Sequence, residues 1–134
     1  MDTFRLKVVT PERVFFEGDV EMVEFNTTEG EVGIYKNHVP TTVIIKPGVL
    51  NIYLADGEEK MKKAALHEGF VEILQDSVTI LAEVIEWPDE IDAERAEKSK
   101  ERAEKRLAEK ESGTDIDRAS AALLRAMARI NVIR

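Results

Sequence analysis

Arg95, Arg102 and Arg106 recur at spacings that bring them, with Asp92, to one face of a helix turning about 100° per residue. Arg118, Arg125 and Arg129 do the same further along the chain. A guanidinium is a planar fork of donors that matches phosphate oxygens. The chemistry open to these residues is therefore the holding of a polyanion, such as a nucleoside triphosphate, rather than bond making or breaking. Solvated faces are the default for charged helices. Against that default, two short helices with convergent arginines are marginal on their own in water and an anion would order them.

The elements that must position these arginines lie between Asp89 and Arg134, a stretch rich in Ala, Glu, Lys and Arg, the strong helix formers. Pro88 precedes Asp89, which reads as the N-cap of a first helix from Glu90 to about Lys110, with Asp92 as the acid of a capping box. Glu94/Lys98 and Glu101/Lys105 are i,i+4 pairs along it. Its apolar seam is thin: Ala96, Ala103 and Leu107. Ser112-Gly113 breaks the chain, and a second helix opens at Thr114 or Asp115. Ile116, Ala119, Leu123, Ala126, Ile130 and Ile133 alternate in steps of three and four, a seam for a partner helix. The arginines of this helix project away from that seam.

Everything before the hairpin is strand-like. Phe4, Leu6 and Val8 alternate with Arg5 and Lys7, as in a half-buried strand. Short strands follow over residues 13–17, 20–27, 41–46, 49–55, 59–66, 70–74 and 78–85, with turns at Thr10-Pro11, Gly18-Asp19, Pro47-Gly48, Asp56-Gly57, Glu68-Gly69 and Asp76-Ser77. Residues 29–34 read as a loop, and Asp56-Gly57 as a two-residue hairpin turn. Eight or nine short strands with closely spaced turns predict an antiparallel sandwich. The fold class is thus α+β: an N-terminal antiparallel β-sandwich over residues 1–88, then a C-terminal two-helix hairpin over residues 89–134. Trp87, at the boundary, either pins the hairpin to the sandwich or is ordinary packing.

Composition removes several function classes. There is no cysteine, which excludes disulfides and thiolate metal sites. The net charge of −8 sits entirely in residues 1–88, with 8 basic against 16 acidic residues; residues 89–134 carry 11 of each. A nucleic-acid binder would show a basic footprint instead, whereas an acidic surface suits a basic partner. The opening MDTFRLKVVT has no basic leader followed by an apolar core, and no apolar run reaches the ~20 residues that cross a bilayer, so the expectation is a soluble intracellular chain or one docked on a membrane complex. No phosphate-binding G-x-x-x-x-G-K-[ST], nucleophile-elbow G-x-S-x-G or dinucleotide G-x-G-x-x-G motif occurs. His38 and His67 belong to no H-x-x-x-H pair, and no metal site is expected. His67, at a strand end beside Glu68, reads as structural; His38, in a Gly/Pro-rich loop, is better placed for binding.

Several segments together carry a family resemblance. They are V-V-T-P-E at Val8–Glu12, E-G-E-V-G-I-Y at Glu29–Tyr35, N-H-V-P at Asn37–Pro40 and I-K-P-G at Ile45–Gly48. E-G-F-V-E at Glu68–Glu72 and V-T-I-L-A at Val78–Ala82 follow, then I-D-A-E-R-A at Ile91–Ala96 and L-L-R-A-M-A-R at Leu123–Arg129. In order and spacing, over essentially the whole chain, they resemble the epsilon-subunit family of the bacterial F-type ATP synthase.

The resemblance implies a non-catalytic subunit of the central rotor stalk, on the cytoplasmic face of the cell membrane and peripheral to it. It couples the catalytic head to the c-ring for proton-driven ATP synthesis. It implies a sandwich that binds the gamma subunit and the c-ring, with Glu31 and His38 as c-ring contacts. It implies a helical arm that either folds down on the sandwich or extends along gamma toward the catalytic beta subunits, where it blocks ATP hydrolysis. Members that bind ATP in the folded-down form share an I/L-D-x-x-R-A pattern, matched here by Ile91, Asp92, Arg95 and Ala96. Arg102, Arg125 and Arg129 stand where further arginines complete that site, and Glu86 matches an acid just ahead of it. ATP would be a regulatory ligand, with or without magnesium. Beside this reading, Asp92 is open to a purely local role as a helix-start acid. Two alternatives stand for the whole chain: a structural rotor coupler that senses no nucleotide, and a small sandwich enzyme with a helical lid, for which no catalytic constellation is present.

Overall fold

The computed structural model describes residues 2–109 and 115–134. The Ser112-Gly113 break lies outside the described residues. Nine strands run β1 (Phe4–Val9), β2 (Val14–Thr27), β3 (Gly30–Ile34), β4 (Thr41–Ile45), β5 (Gly48–Leu54), β6 (Met61–Leu66), β7 (Gly69–Ile73), β8 (Ser77–Ala82) and β9 (Ile85–Glu86). Helices α1 (Ala93–Glu109) and α2 (Ile116–Ile133) follow. The strand path is β1-β8-β7-β4-β2-β5-β6-β9, with β3 paired to β2, and a β1–β2 pairing closes it. Alternating residues such as Leu6, Val8, Val23, Phe25, Leu50, Ile52, Val71 and Ile80 turn inward and are fully buried. They form the apolar filling of a sandwich, as the period-2 pattern of the sequence requires.

Four details depart from the sequence reading. Gly18-Asp19 is not a turn: β2 runs straight through it for 14 residues, and both residues pair with β1. A register shift between Val20 and Met22 then lets the second half pair with β5. Glycine there serves close packing, since a Cβ at Gly18 would stand 3.2 Å from the Phe16 ring. Residues 30–34 are strand β3, a hairpin partner of β2, reached through a turn in which Gly30 has φ +119°. The β5–β6 connection spans residues 55–60 rather than two residues. The stretch read as one strand to Ile85 is two, β8 and β9. One pairing in the otherwise antiparallel sandwich is parallel, β1 with β8.

The hairpin folds down with α2 as the inner helix. Ala119, Ala126 and Ile130 of α2 are buried, as are Ala96 and Ala103 of α1. A second buried row on α2, Ala128 and Val132, packs on Ala65 of β6. That docking row was not expected from the sequence, because an Ala and a Val outside the six-residue seam look like ordinary spacing. Small side chains allow close approach but remove little apolar area, at roughly 0.8 kcal/mol per buried CH2. Polar contacts must therefore carry much of the hold.

Candidate functional site between the linker and the two helices

The site begins with the pairing of β6 and β9. Ala65 stands opposite Glu86, so both side chains leave the sheet on one face. That face is the one α2 covers, and Leu66 and Ile85, opposite each other one residue away, turn into the core. Glu86 is thereby aimed at Arg129, whose Nε donates to Glu86 Oε1 at 2.7 Å. The buried His67 donates from Nε2 to the same oxygen at 3.0 Å. An ionised carboxylate only accepts, so this contact assigns the His67 proton to Nε2; the buried Nδ1 has no partner among the described residues. Partial burial raises the Glu86 pKa, but the hydrogen bonds from His67 and Arg129 outweigh it, and the net shift is downward.

The linker after β9 is anchored on the sandwich. Trp87 stacks on Phe15 with ring centroids 4.1 Å apart, and Lys62 lies over the indole at 5.2 Å. Pro88–Glu90 makes a 3-10 turn. The Glu90 carboxylate accepts from the Trp87 backbone N–H at 2.8 Å and from Arg13 Nη2 at 2.9 Å. Arg13 first, then that N–H, hold the Glu90 carboxyl below its ordinary pKa. Ile91 is extended, so α1 starts later than its sequence suggests. Asp92, not Asp89, caps it: Oδ1 accepts from Arg95 N–H at 3.0 Å, and its carbonyl accepts from Ala96 N–H. Along α1, Lys98 pairs with Glu94, while Lys105 reaches forward to Glu109 rather than back to Glu101.

These elements enclose a cavity of about 270 Å3 lined by Glu86, Glu90, Ile91, Asp92, Arg95, Ala96, Ser99, Arg102 and Arg129. Seven residues singled out from the sequence meet there: Glu86, Ile91, Asp92, Arg95, Ala96, Arg102 and Arg129. Arg125 does not line the cavity, because its Nη1 donates to Glu68 Oε2 at 2.6 Å. Sequence reasoning missed Ser99 and Glu90. Ser99 was findable, since it lies one turn beyond Arg95 on the same helical face; it accepts from Arg102 Nη2 at 3.1 Å. Glu90 was not, because only the 3-10 turn brings it inward. The arginines of α2 do not share one exposed face: Arg125 and Arg129 are half-buried against the sandwich, and Arg118 is exposed.

The charge balance decides what the cavity accepts. Glu86 is matched by Arg129, and Glu90 by Arg13. Arg95 and Arg102 have no ion pair among the described residues, and the third carboxylate of the lining, Asp92, has its Oδ1 committed to the cap. An anion is the complementary guest. The volume is just under the roughly 300–1,000 Å3 usual for ligand pockets, so a nucleotide would project over the rim. A larger open groove of about 630 Å3 beside Trp87 is lined by no arginine, and its Lys62 and Lys63 share it with the carboxylates of Glu59 and Asp89, the first of which pairs with Lys62.

Glu31 and His38 lie elsewhere. Glu31 is exposed on β3 and borders a groove with α2. His38 sits in the loop before β4, with Nδ1 2.9 Å from the Val39 carbonyl oxygen. The two share no hydrogen bond or ion pair. Among the described residues no helix is long and apolar enough to cross a membrane.

Comparison with known proteins places the whole arrangement. Residues 3–88 match the beta-sandwich domain of the ATP synthase delta/epsilon chain, and residues 89–134 match its long alpha-helix domain. The chain is 47% identical over 131 residues to the ATP synthase epsilon chain of Caldanaerobacter subterraneus subsp. tengcongensis, covering 97% of this chain and 93% of that one. It is 44% identical over 131 residues to the epsilon chain of Clostridium novyi, covering 98% of each. Among solved structures, a chain of the Euglena gracilis mitochondrial ATP synthase superposes with a TM-score of 0.84 at 20% identity, covering 100% of this chain and 83% of that one. At that identity the likeness is one of fold. The sandwich, the docked hairpin and these full-length matches together show that the chain belongs to the ATP synthase epsilon-chain family.

Proposed function

We propose that the chain is the non-catalytic epsilon subunit of an F-type rotary ATP synthase, and that its hairpin is a nucleotide-biased arm. The sandwich of residues 1–88 couples the catalytic head to the c-ring during proton-driven synthesis. The helices of residues 89–134 inhibit ATP hydrolysis when extended toward the beta subunits, and bind ATP when folded down. The complex would hold the chain on the cytoplasmic face of the membrane as a peripheral subunit. The observation that carries the nucleotide reading is the cavity where the linker, α1 and α2 meet around Arg95 and Arg102. ATP, with or without magnesium, supplies the anion these residues lack. Ile91 and Ala96 would flank the base, and Glu86 and Asp92 would accept from the base or ribose.

The sandwich offers two surfaces for partners. Ile44, Phe70, Leu81, Val9 and Val14 are successive cross-strand partners from β4 through β7, β8 and β1 to β2. Ile44, Phe70 and Val14 are 64%, 45% and 55% exposed. Contiguous exposed apolar rows mark protein contacts, and we assign this one to the gamma subunit. Glu31 and His38 are assigned to the polar loops of the c-ring. Two solved structures of similar fold, from the mitochondrial ATP synthases of Euglena gracilis and Tetrahymena thermophila, contain the c-ring alongside F1 or the central stalk, which supports that setting.

The test of the nucleotide reading is calorimetric. ATP titrated into the purified chain is expected to give a saturable heat, and Arg102→Ala to weaken it at least several-fold. Absence of heat at millimolar ATP would remove the sensor while leaving the subunit assignment. One observation favours the second reading, a structural coupler without nucleotide sensing: Arg125 and Arg129 already have carboxylate partners in the docked arm.

A further inference from the structure

Arg125 and Arg129 are one turn apart on α2 and face the same edge of the sandwich, yet they meet it differently. Arg129 engages Glu86 through Nε and still lines the cavity. Its two terminal nitrogens carry no hydrogen bond among the described residues. Arg125 engages Glu68 through a terminal nitrogen and stands outside the cavity lining. In the docked arm Arg125 is thus turned to Glu68 and not to the cavity that holds Arg95 and Arg102.

The backbone that carries Glu68 is tied to the sheet. Glu68 and His67 form the two-residue connection between β6 and β7, and the backbone there is fixed on both sides. The Glu68 carbonyl accepts from Glu83 N–H at 3.0 Å, and His67 N–H donates to the Val84 carbonyl at 3.2 Å. The His67 ring is buried. The next residue, Gly69, lies against the backbone of Leu81 and Ala82 so closely that any Cβ would overlap it. The carboxylate is therefore presented from a backbone corner tied down on both sides, while Arg125 rides on the helix.

We infer that Glu68 is an internal competitor for nucleotide phosphate: it occupies Arg125 in the empty docked arm and is displaced when a nucleoside triphosphate binds. The inference rests on the nucleotide reading above and adds the residue that sets its affinity. The sign follows from linkage. If the Glu68–Arg125 pair exists only in the empty docked form, removing it destabilises that form alone, and nucleotide affinity can only rise. If Arg125 stays on Glu68 when nucleotide is bound, removing the pair weakens both docked forms equally. The undocked share then grows and affinity falls.

The experiment is ATP calorimetry on the full chain and on Glu68→Gln. Glu68 is a surface side chain, 46% exposed, so the substitution leaves the fold intact; Glu68→Ala is the second variant. For an ion pair this exposed, binding is expected to tighten about two- to fivefold. In an Arg125→Ala background the same substitution should leave affinity unchanged, because the competed partner is gone. Equal or weaker binding by Glu68→Gln overturns the inference while the nucleotide reading stands. No heat from the native chain or either variant overturns both.

Discussion

Arg129→Ala is the sharpest perturbation of the docked arm. Arg129 and Glu86 are 28% and 24% exposed, so their contact is screened less than a surface pair but is not fully desolvated. A hydrogen bond to a charged group contributes about 1.5–3 kcal/mol net. Residual solvent access and the hydrogen bond that His67 keeps on the same oxygen lower this to about 1–2 kcal/mol. That corresponds to a roughly 5- to 30-fold loss in the ratio of docked to undocked arm. The chain has no cysteine, so spin labels at Asp56→Cys and Asn131→Cys, both exposed, report the distance between α2 and the sandwich without background. In Arg129→Ala without nucleotide, double electron–electron resonance should show a new, longer population. Arg118→Ala, which removes an exposed side chain without an ion pair among the described residues, should not. A folded Arg129→Ala chain with the parent distance distribution would refute the view that this contact holds the arm.

Three further outcomes follow from particular contacts. The Glu86 and Glu90 carboxyls are both depressed from the ordinary value of 4.5, so their contribution to the docked linker and arm is complete above about pH 4.5 and is lost as pH falls below it. Fluorescence of Trp87, the sole tryptophan, should be flat from neutral pH down to that point and change below it, with a smaller change in Glu86→Gln. Gly69→Ala would set its Cβ on the Leu81 carbonyl oxygen and 2.7 Å from Ala82 Cα. Separating β7 from β8 should cost about 3 kcal/mol or more, read as a lower unfolding midpoint in urea. Ile44→Asp, on an exposed site of the apolar row, should leave that midpoint within about 0.5 kcal/mol yet abolish capture of purified gamma subunit.

The sandwich was legible because alternation at Phe4, Leu6 and Val8, and at Leu50 and Ile52, reports directly which side of a strand is wet. Gly18-Asp19 misled because a glycine–aspartate pair has the same local preference in a turn and in a tightly packed strand. Only the pairing with β1 distinguishes them. The helix start was misplaced by three residues for a similar reason. Asp89 and Asp92 are both competent caps, and the choice falls to Asp92 because Arg13 and the Trp87 amide hold Glu90 in a separate turn. Three residues of the cavity lining, Asp92, Arg95 and Arg102, were visible as helical spacing, whereas Glu86, Ile91 and Ala96 came only through the family resemblance, and Arg106, on the same predicted face, does not line the cavity. The partners of Arg125 and Arg129 were not visible, since Glu68 and Glu86 lie 57 and 43 residues away and only the docking of α2 on β6 and β9 joins them.

The account depends on an arm whose small apolar contacts leave its posture to its charged partners. The most direct measurement is the same spin-label distance followed during an ATP titration of Val132→Ala, which thins the row packed on Ala65 without touching the cavity, so that the undocked population is large enough to see a shift. The account predicts that ATP returns the arm saturably to the short distance, and that adding Arg102→Ala moves this return to higher ATP. A distance distribution that ignores ATP throughout, with the undocked population unchanged, would contradict it.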